Sequence, residues 1–426
     1  MRQSSVPRTS IEKRLHLTLW LLQIFGFYPL SLNPRGSKKA RTLIFCLFTV
    51  YILGLCCVNF YVLFVNIDTM FLYVNMFDLL HAQSISSIIN GLRPFINLVA
   101  IVIFWLHARK HRQFLKQLCL IDRIFTAEFG TSPRVHTLNA FAVGSTLAAM
   151  LVAFSARLTE FIYMGEQLGV YWLIEFSLVM VPLLSVWIVV PLIYFCICNR
   201  LIRFWCRQLQ NALKRDRLAA RKPIKFYYER FLKLTDLQYA MGNVFNPFIL
   251  FSLGWSVFTL CLTIYFLTQS DTHFPPAPKH IPDAPTGQEW INIVSFNVMY
   301  GSIQVVLAAA YICIICFTGT QTNEETRNTL KWLLSNLPED DSPSDRFYVT
   351  CFMYKISTQY MWGVTVWRAF PLERSAFFTL VSLILTYAFL LLKFRQGRLP
   401  LEPNGDHLNS TSIMTDVLNG SHFIPY

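Results

Sequence analysis

Charge is what this chain has little of: Asp, Glu, Lys and Arg make up 14% of its 426 residues, against roughly 25% in an average soluble domain. A soluble fold of this length needs more polar surface than that. Glycine is sparse too, at 17 residues beside 54% hydrophobic content, which excludes collagen-like and disordered chains. Catalytic and cofactor signatures are missing. The nine His form no H-E-x-x-H, no Walker or dinucleotide-binding glycine pattern occurs, and Ser and Cys have no triad context. Neither an enzyme nor a resident cofactor is expected. Cys313 and Cys316 form a C-x-x-C inside an apolar run without a second pair, which reads as packing and not as a metal site. The net charge of +13 would suggest nucleic acid if the basic residues shared a soluble face. They fall between apolar runs instead, so no nucleic acid is expected.

What is present is long hydrophobic runs. A helix needs about 20 apolar residues to cross the hydrocarbon, and seven stretches supply them: 42–65, 82–107, 138–156, 172–198, 244–267, 290–316 and 376–394. The fold class expected is therefore an all-α membrane protein with seven transmembrane helices. An eighth apolar segment, Leu15 to Leu32, is interrupted by Gly26 and Pro29 and has basic residues on both sides. It fits a helix lying in the inner interface, and no A-x-A site follows it as after a signal peptide.

Basic residues orient the bundle. Eight precede the first span, and six, eleven and six occupy the second, fourth and sixth loops after it in alternation; the intervening loops hold none, then Arg157, then Lys279. By the positive-inside rule the N-terminus is cytoplasmic, and seven crossings put the C-terminus outside. The two N-x-[ST] sequons, at Asn409 and Asn419, lie in that C-terminal tail, where glycosylation belongs. Lys393, Arg395 and Arg398 at the end of the last span pull the other way. No Cys is left on the outside for a disulfide.

Polar side chains inside lipid are costly, so a row of them on one face means water, a ligand or another helix. In the second span Ser86, Asn90, Arg93 and Asn97 share a sector with Gln83. Arg93 needs a partner, and Glu160 and Glu175 are candidates. In the sixth span Asn297, Tyr300, Gln304 and Tyr311 share a face, suited either to a small organic ligand or to interhelical bonding. Tyr171 and Trp172 sit at an outer interface. In the seventh, Ser375, Thr379, Ser382, Thr386 and Lys393 fall within about 60° on an otherwise greasy helix. That is what either a pore-lining helix or a small-residue packing face would show.

The last span reads Phe377-Phe-Thr-Leu-Val-Ser-Leu-Ile-Leu-Thr-Tyr-Ala-Phe-Leu-Leu-Leu-Lys-Phe394. It resembles the signature of the insect gustatory receptor family: T-Y, five apolar residues, then Q-F. Thr386, Tyr387 and Phe394 match, and Lys393 stands where the family has Gln. Phe370 to Arg374, and Leu22 to Leu32 with its Gly-Phe-Tyr-Pro core, are also similar to family segments. The resemblance implies a tastant-gated, non-selective cation channel in the plasma membrane of a sensory neuron, as a homotetramer or a heteromer with other gustatory receptors. It implies a cytoplasmic N-terminal segment (1–41) with an interfacial helix, helices one to six with a ligand pocket in their outer half (42–316), a cytoplasmic anchor segment (317–375) in which helical extensions of the later helices hold the tetramer together, a pore-lining helix (376–396) and an extracellular tail (397–426). Ser375, Thr379, Ser382, Thr386, Leu390, Lys393 and Phe394 would line the pore. The aromatic stretch Arg346 to Phe370 would form a helix in the anchor interface. A ring of Lys393 ammonium groups would oppose cations unless they snorkel to headgroups. Ala388, where the sugar-receptor branch resembles T-Y-E, turns the reading from sugars toward bitter compounds or contact pheromones. The alternatives are an odorant-receptor-like channel, a G-protein-coupled receptor and a transporter. An inside N-terminus and the lack of D/E-R-Y and N-P-x-x-Y motifs oppose the second. The absence of an inverted repeat opposes the third. Basic residues from Arg200 to Lys233 could also meet membrane lipid.

Overall fold

In a computed structural model, the described residues are 11–28, 38–76, 82–164, 183–219, 223–269, 287–335, 343–358, 363–366 and 370–396. Among them the chain is helical, with one two-stranded hairpin. The helices are α1 (Ile11–Arg14), α2 (His16–Ile24), α3 (Lys38–Met76), α4 (Ala82–Leu106), α5 (Ala108–Phe129), α6 (Val135–Met164), α7 (Val189–Ala219), α8 (Ile224–Gln269), α9 (Gly287–Leu334), α10 (Pro343–Thr358) and α11 (Arg374–Gln396). Strands β1 (Thr365–Val366) and β2 (Phe370–Pro371) precede α11.

Over the described residues each of the seven expected crossings falls on helix, with 172–182 of the fourth outside them. Cys46–Phe64, Val135–Ala156, Leu183–Arg215, Lys225–Leu267 and Gly301–Leu334 are long and apolar enough to span. Gly91–Leu106 is the sixth, bending by 63° into α5, and Arg374–Leu390 is a shorter apolar helix. Between them lie the expected helical extensions, and it is their length that the sequence leaves open. Residues 199–243, read as a basic loop, are the lower halves of α7 and α8, with only 220–223 between the two helices. At 46 residues, α8 is roughly 70 Å long, more than twice the hydrocarbon thickness. Its apolar half ends and its amphipathic half continues into water as one rod, with Pro247 inside it. The aromatic stretch before the last span is also not one helix: α10 stops at Thr358 and the hairpin follows. Phe352 of α10 is buried, its ring stacked at 4.2 Å on Tyr228. Phe347 and Tyr354 point outward, while Tyr360, Trp362 and Trp367 lie outside the described residues.

The N-terminal segment is built into the bundle. Ile11, Leu15, Leu22 and Phe27 are buried, and α1 and α2 pack on α5, α6 and α7. The last carbonyls of a helix lack intrahelical donors, and here three other helical segments supply them. Tyr51 Oη donates to Ile24 O (2.5 Å), the Trp187 indole to Phe25 O (2.9 Å), and the Trp105 indole to Gly26 O (3.3 Å). Gly26 makes the turn at φ +79°. At the other end Asn139 accepts from Thr18 Oγ1 (2.9 Å) and donates to Arg14 O (2.7 Å).

Arg14 also pairs with buried Asp122 of α5 at 2.5 Å. Burial raises the Asp122 carboxyl above its usual range despite the adjacent guanidinium. A raised carboxylate pKa means that ionisation costs more in the folded state than in the unfolded one. The stabilising share is therefore present below the unfolded value and lost as pH rises through the folded one. The pair thus fixes where α1 sits more than it adds stability. Arg14→Met should lower the melting temperature of the purified protein by an amount equivalent to about 3 kcal/mol. The double change with Asp122→Leu should recover most of that loss, and a double variant as weak as the single would contradict the assignment.

Candidate functional site

The seventh helix meets the rest of the chain along one edge. α11 packs on α8 and α9 through Ala376, Ile384 and Ala388, all buried. At 100° per residue those three centre about half a turn from Ser375, Thr379, Ser382, Thr386 and Lys393, which are all exposed. The polar seam is therefore the outward face of the subunit. Leu390 and Tyr387 are exposed beside it, as are Phe378 and Phe389; the Phe394 side chain lies outside the described residues. Thr379 Oγ1 donates to Ser375 O (3.0 Å) and Thr386 Oγ1 to Ser382 O (2.8 Å). With their protons turned back into the helix, both hydroxyls present lone pairs outward.

What holds α11 in place was not visible as a motif. Asn323, on the inner extension of α9, is buried and uses its whole amide. Its Nδ2 donates to Val364 O and Leu372 O, both at 3.0 Å, and its Oδ1 accepts from Val364 N at 2.7 Å and from Gln238 Nε2 of α8 at 3.2 Å. Two donations and two acceptances are all an asparagine offers. Val364 and Leu372 flank the hairpin, with Leu372 N donating to Val364 O (2.9 Å). The hairpin pairs Thr365 with Pro371 and Val366 with Phe370. Gly363 is at φ +113°, and a Cβ there would stand 2.7 Å from Asn323 Oδ1. A Cβ at Gly319 would meet Leu372 at 2.6 Å. Two surface ion pairs flank the clasp: Arg327 with Glu373 (2.5 Å) and Arg374 with Glu324 (2.9 Å). The signal in the sequence is the run from Thr318 to Thr329. Its Thr318, Thr322, Thr326 and Thr329 recur at helical spacing and are all buried, a hydroxyl stripe at the start of the segment read as the cytoplasmic anchor.

A second polar group lies in the half of the bundle away from the basic loops. Arg93 of α4 donates to Ser185 Oγ at 2.8 Å. The Glu160 side chain and all of Glu175 lie outside the described residues. Asn97 is buried, its amide donating to Leu184 O (3.0 Å) and reaching Asn59 Oδ1 of α3 at 3.4 Å. It serves interhelical bonding. Gln304 is half-buried on α9, and Tyr311 Oη of the same helix donates to Ile188 O (3.2 Å). Ser86, Asn90, Asn297 and Tyr300 sit on α4 and α9, but their side chains lie outside the described residues, as do Tyr171, Trp172, Asn409 and Asn419 altogether. Sequence reading missed a stripe on α8: Ser252, Ser256, Thr259 and Thr263, within about 60° and all buried.

Comparison with known proteins follows from this geometry. The family described as 7tm Chemosensory receptor matches residues 15–397. A Caenorhabditis elegans protein named probable G-protein coupled receptor egl-47 is 36% identical over 399 residues, covering 92% of this chain and 76% of that one. Among solved structures, the insect olfactory receptor OR5 from Machilis hrabei superposes with a TM-score of 0.55 at 17% identity, over 90% of this chain and 98% of that one. Its complex with eugenol gives 0.51 at 16% identity over the same shares. At such identities the likeness is one of fold.

The clasp predicts a graded series. Asn323→Leu takes the partner from the Val364 amide, the Leu372 carbonyl and the Gln238 amide in a buried site, and should cost about 3 kcal/mol or more in thermal stability. Gly363→Ala, against both backbone and Asn323, should cost about 1–2 kcal/mol. Gly254→Ala, with nothing within 4 Å of the added carbon, should leave the melting temperature unchanged or raise it.

Proposed function

The chain belongs to the 7tm chemosensory receptor family, and from this we propose that it is a gustatory-type receptor, a tastant-gated, non-selective cation channel of four subunits whose pore is lined by α11. The observation that carries the reading is the hydroxyl seam on the face of α11 opposite its packed edge. Placed around an axis, Ser375, Thr379, Ser382 and Thr386 become stacked rings of oxygens, with lone pairs outward at both threonines. Such rings replace part of a cation's hydration shell. Facing lipid, the same seam would gain little, because aliphatic tails offer no hydrogen-bonding partner.

Kinship supports the channel and the ligand separately. The fold is that of an olfactory receptor of Machilis hrabei, also solved with eugenol. The spacing of Thr386 and Tyr387 before Phe394 favours the gustatory branch over the odorant one. The ligand pocket would lie in the outer half among the helices that bear Arg93, Ser185 and Gln304. Residues 317–375 would anchor the tetramer through outward aromatics such as Phe347 and Tyr354. The tail would carry its sequons on the outside, and the receptor would work at the plasma membrane of a sensory neuron, alone or with another family member. The nematode relative's name favours a second reading, coupling to a G protein. An inside N-terminus, indicated by the charge distribution, opposes it, and epitope accessibility on intact cells separates the two.

Lys393 gives the direct test of pore placement. Exposed near the outer end of the seam, four such ammonium groups oppose cation entry. In cells expressing the chain, Lys393→Gln should raise cation conductance or shift the reversal potential under bi-ionic conditions. Unchanged permeability and conductance would put α11 away from the ion path.

A further inference from the structure

Arg93 is set in a place that asks for a particular kind of ligand. On α4, Ile89, Arg93, Ile96, Ala100 and Phe104 lie on one face, within about 80°. The two ends of that face touch α8: Ile89 packs with Tyr265 and Phe266, and the Phe104 ring lies 5.5 Å from Phe248 and 6.0 Å from Phe245. The helices are antiparallel there, so at equal rise per residue Arg93 is level with Thr259 to Leu262. Thr259 falls three turns after Phe248 and two turns before Phe266, on the same face of α8 as both. It is therefore turned to α4 at the height of Arg93.

Both groups are under-used. The Thr259 hydroxyl is buried and, among the described residues, has no hydrogen-bond partner. Arg93, half-buried, makes one described side-chain bond, to the neutral Ser185, although a guanidinium carries five donors in a planar fork. Among the described residues no carboxylate pairs with Arg93, and a cation among apolar helices without a counter-charge is costly, as is an unpaired buried hydroxyl. A carboxylate answers both. Its two oxygens fit the guanidinium fork, and a remaining lone pair accepts from the Thr259 hydroxyl. The surrounding Ile89, Ile96, Leu262 and Phe266 would enclose an apolar tail.

We propose that the ligand class of this receptor is organic carboxylates, with Arg93 as the anion-binding residue and Thr259 as a second donor. The inference rests on the ligand-pocket reading above but not on ion conduction, so it is tested by binding. The purified full-length chain is heated with hexanoate, benzoate and phenylacetate and, in parallel, with their neutral primary amides. Carboxylates should raise the melting temperature in a saturable way and the amides should not. Arg93→Gln should weaken that binding about ten- to a hundredfold, Arg93→Lys less, and Thr259→Val less again. If Arg93→Gln does not fold, Thr259→Val and Arg93→Lys carry the same comparison. Equal stabilisation by amides, carboxylate binding that survives Arg93→Gln, or no carboxylate-dependent shift in the wild-type chain overturns the proposal. Currents recorded with the same compounds keep the two failures apart: carboxylate binding without current counts against the channel and leaves the ligand class standing.

Discussion

A single amide holds the architecture together where it is most exposed to failure. The last helix touches its subunit along one apolar face, Ala376, Ile384 and Ala388 with Phe377 and Leu380 beside them, and such packing is non-directional. Position is set instead at its base, where Asn323 binds the hairpin from both sides and Gln238 ties that asparagine to a third helix. The arrangement tolerates no half measures, because a buried polar network is stable only when every member is paired. Gly319 and Gly363 are there because a methyl group at either would separate the parts.

The same rule, that polar groups in a low-dielectric interior must find partners, accounts for the N-terminal segment. Three aromatic donors from three regions of the chain converge on three successive carbonyls. Each donor has an apolar body that packs and a single polar atom that bonds. A helix that composition places at the membrane surface is thereby drawn among α5, α6 and α7.

The crossings were legible because an apolar run of about twenty residues is long enough to traverse the hydrocarbon and too greasy for water. Orientation was legible because Lys and Arg collect in alternate loops. The seam on α11 was legible because five polar residues on a greasy helix stand out at a period of 3.6. Helical extensions beyond the membrane edge were expected, and what escaped was where they begin and end. There the inner halves of α7, α8 and α9 are amphipathic, and their exposed faces carry enough charge to look like loops. Asn323 escaped for a different reason. Its role depends on Val364 and Leu372, about forty and fifty positions away, and no local pattern encodes that meeting. Ser185 as a partner of Arg93 escaped because a single serine outside any periodic stripe carries no local signal. The α8 hydroxyls escaped because Ser and Thr in a membrane helix bond their own backbone so readily, as Thr263 does to Thr259 O, that they read as neutral filling.

One helix links the chamber to the clasp. Thr259 and Gln238 belong to the same rod, some 21 residues apart along α8, which is about 32 Å of helix. Mechanically that is a lever arm, and a swing of about five degrees at one end displaces the other by about 3 Å, the length of a hydrogen bond. Pro247 lies between them, where a missing amide proton softens the rod at a defined place. A bend at Pro247 would therefore shift Gln238, and with it Asn323, relative to Thr259, and so act on the clasp at the base of the terminal helix.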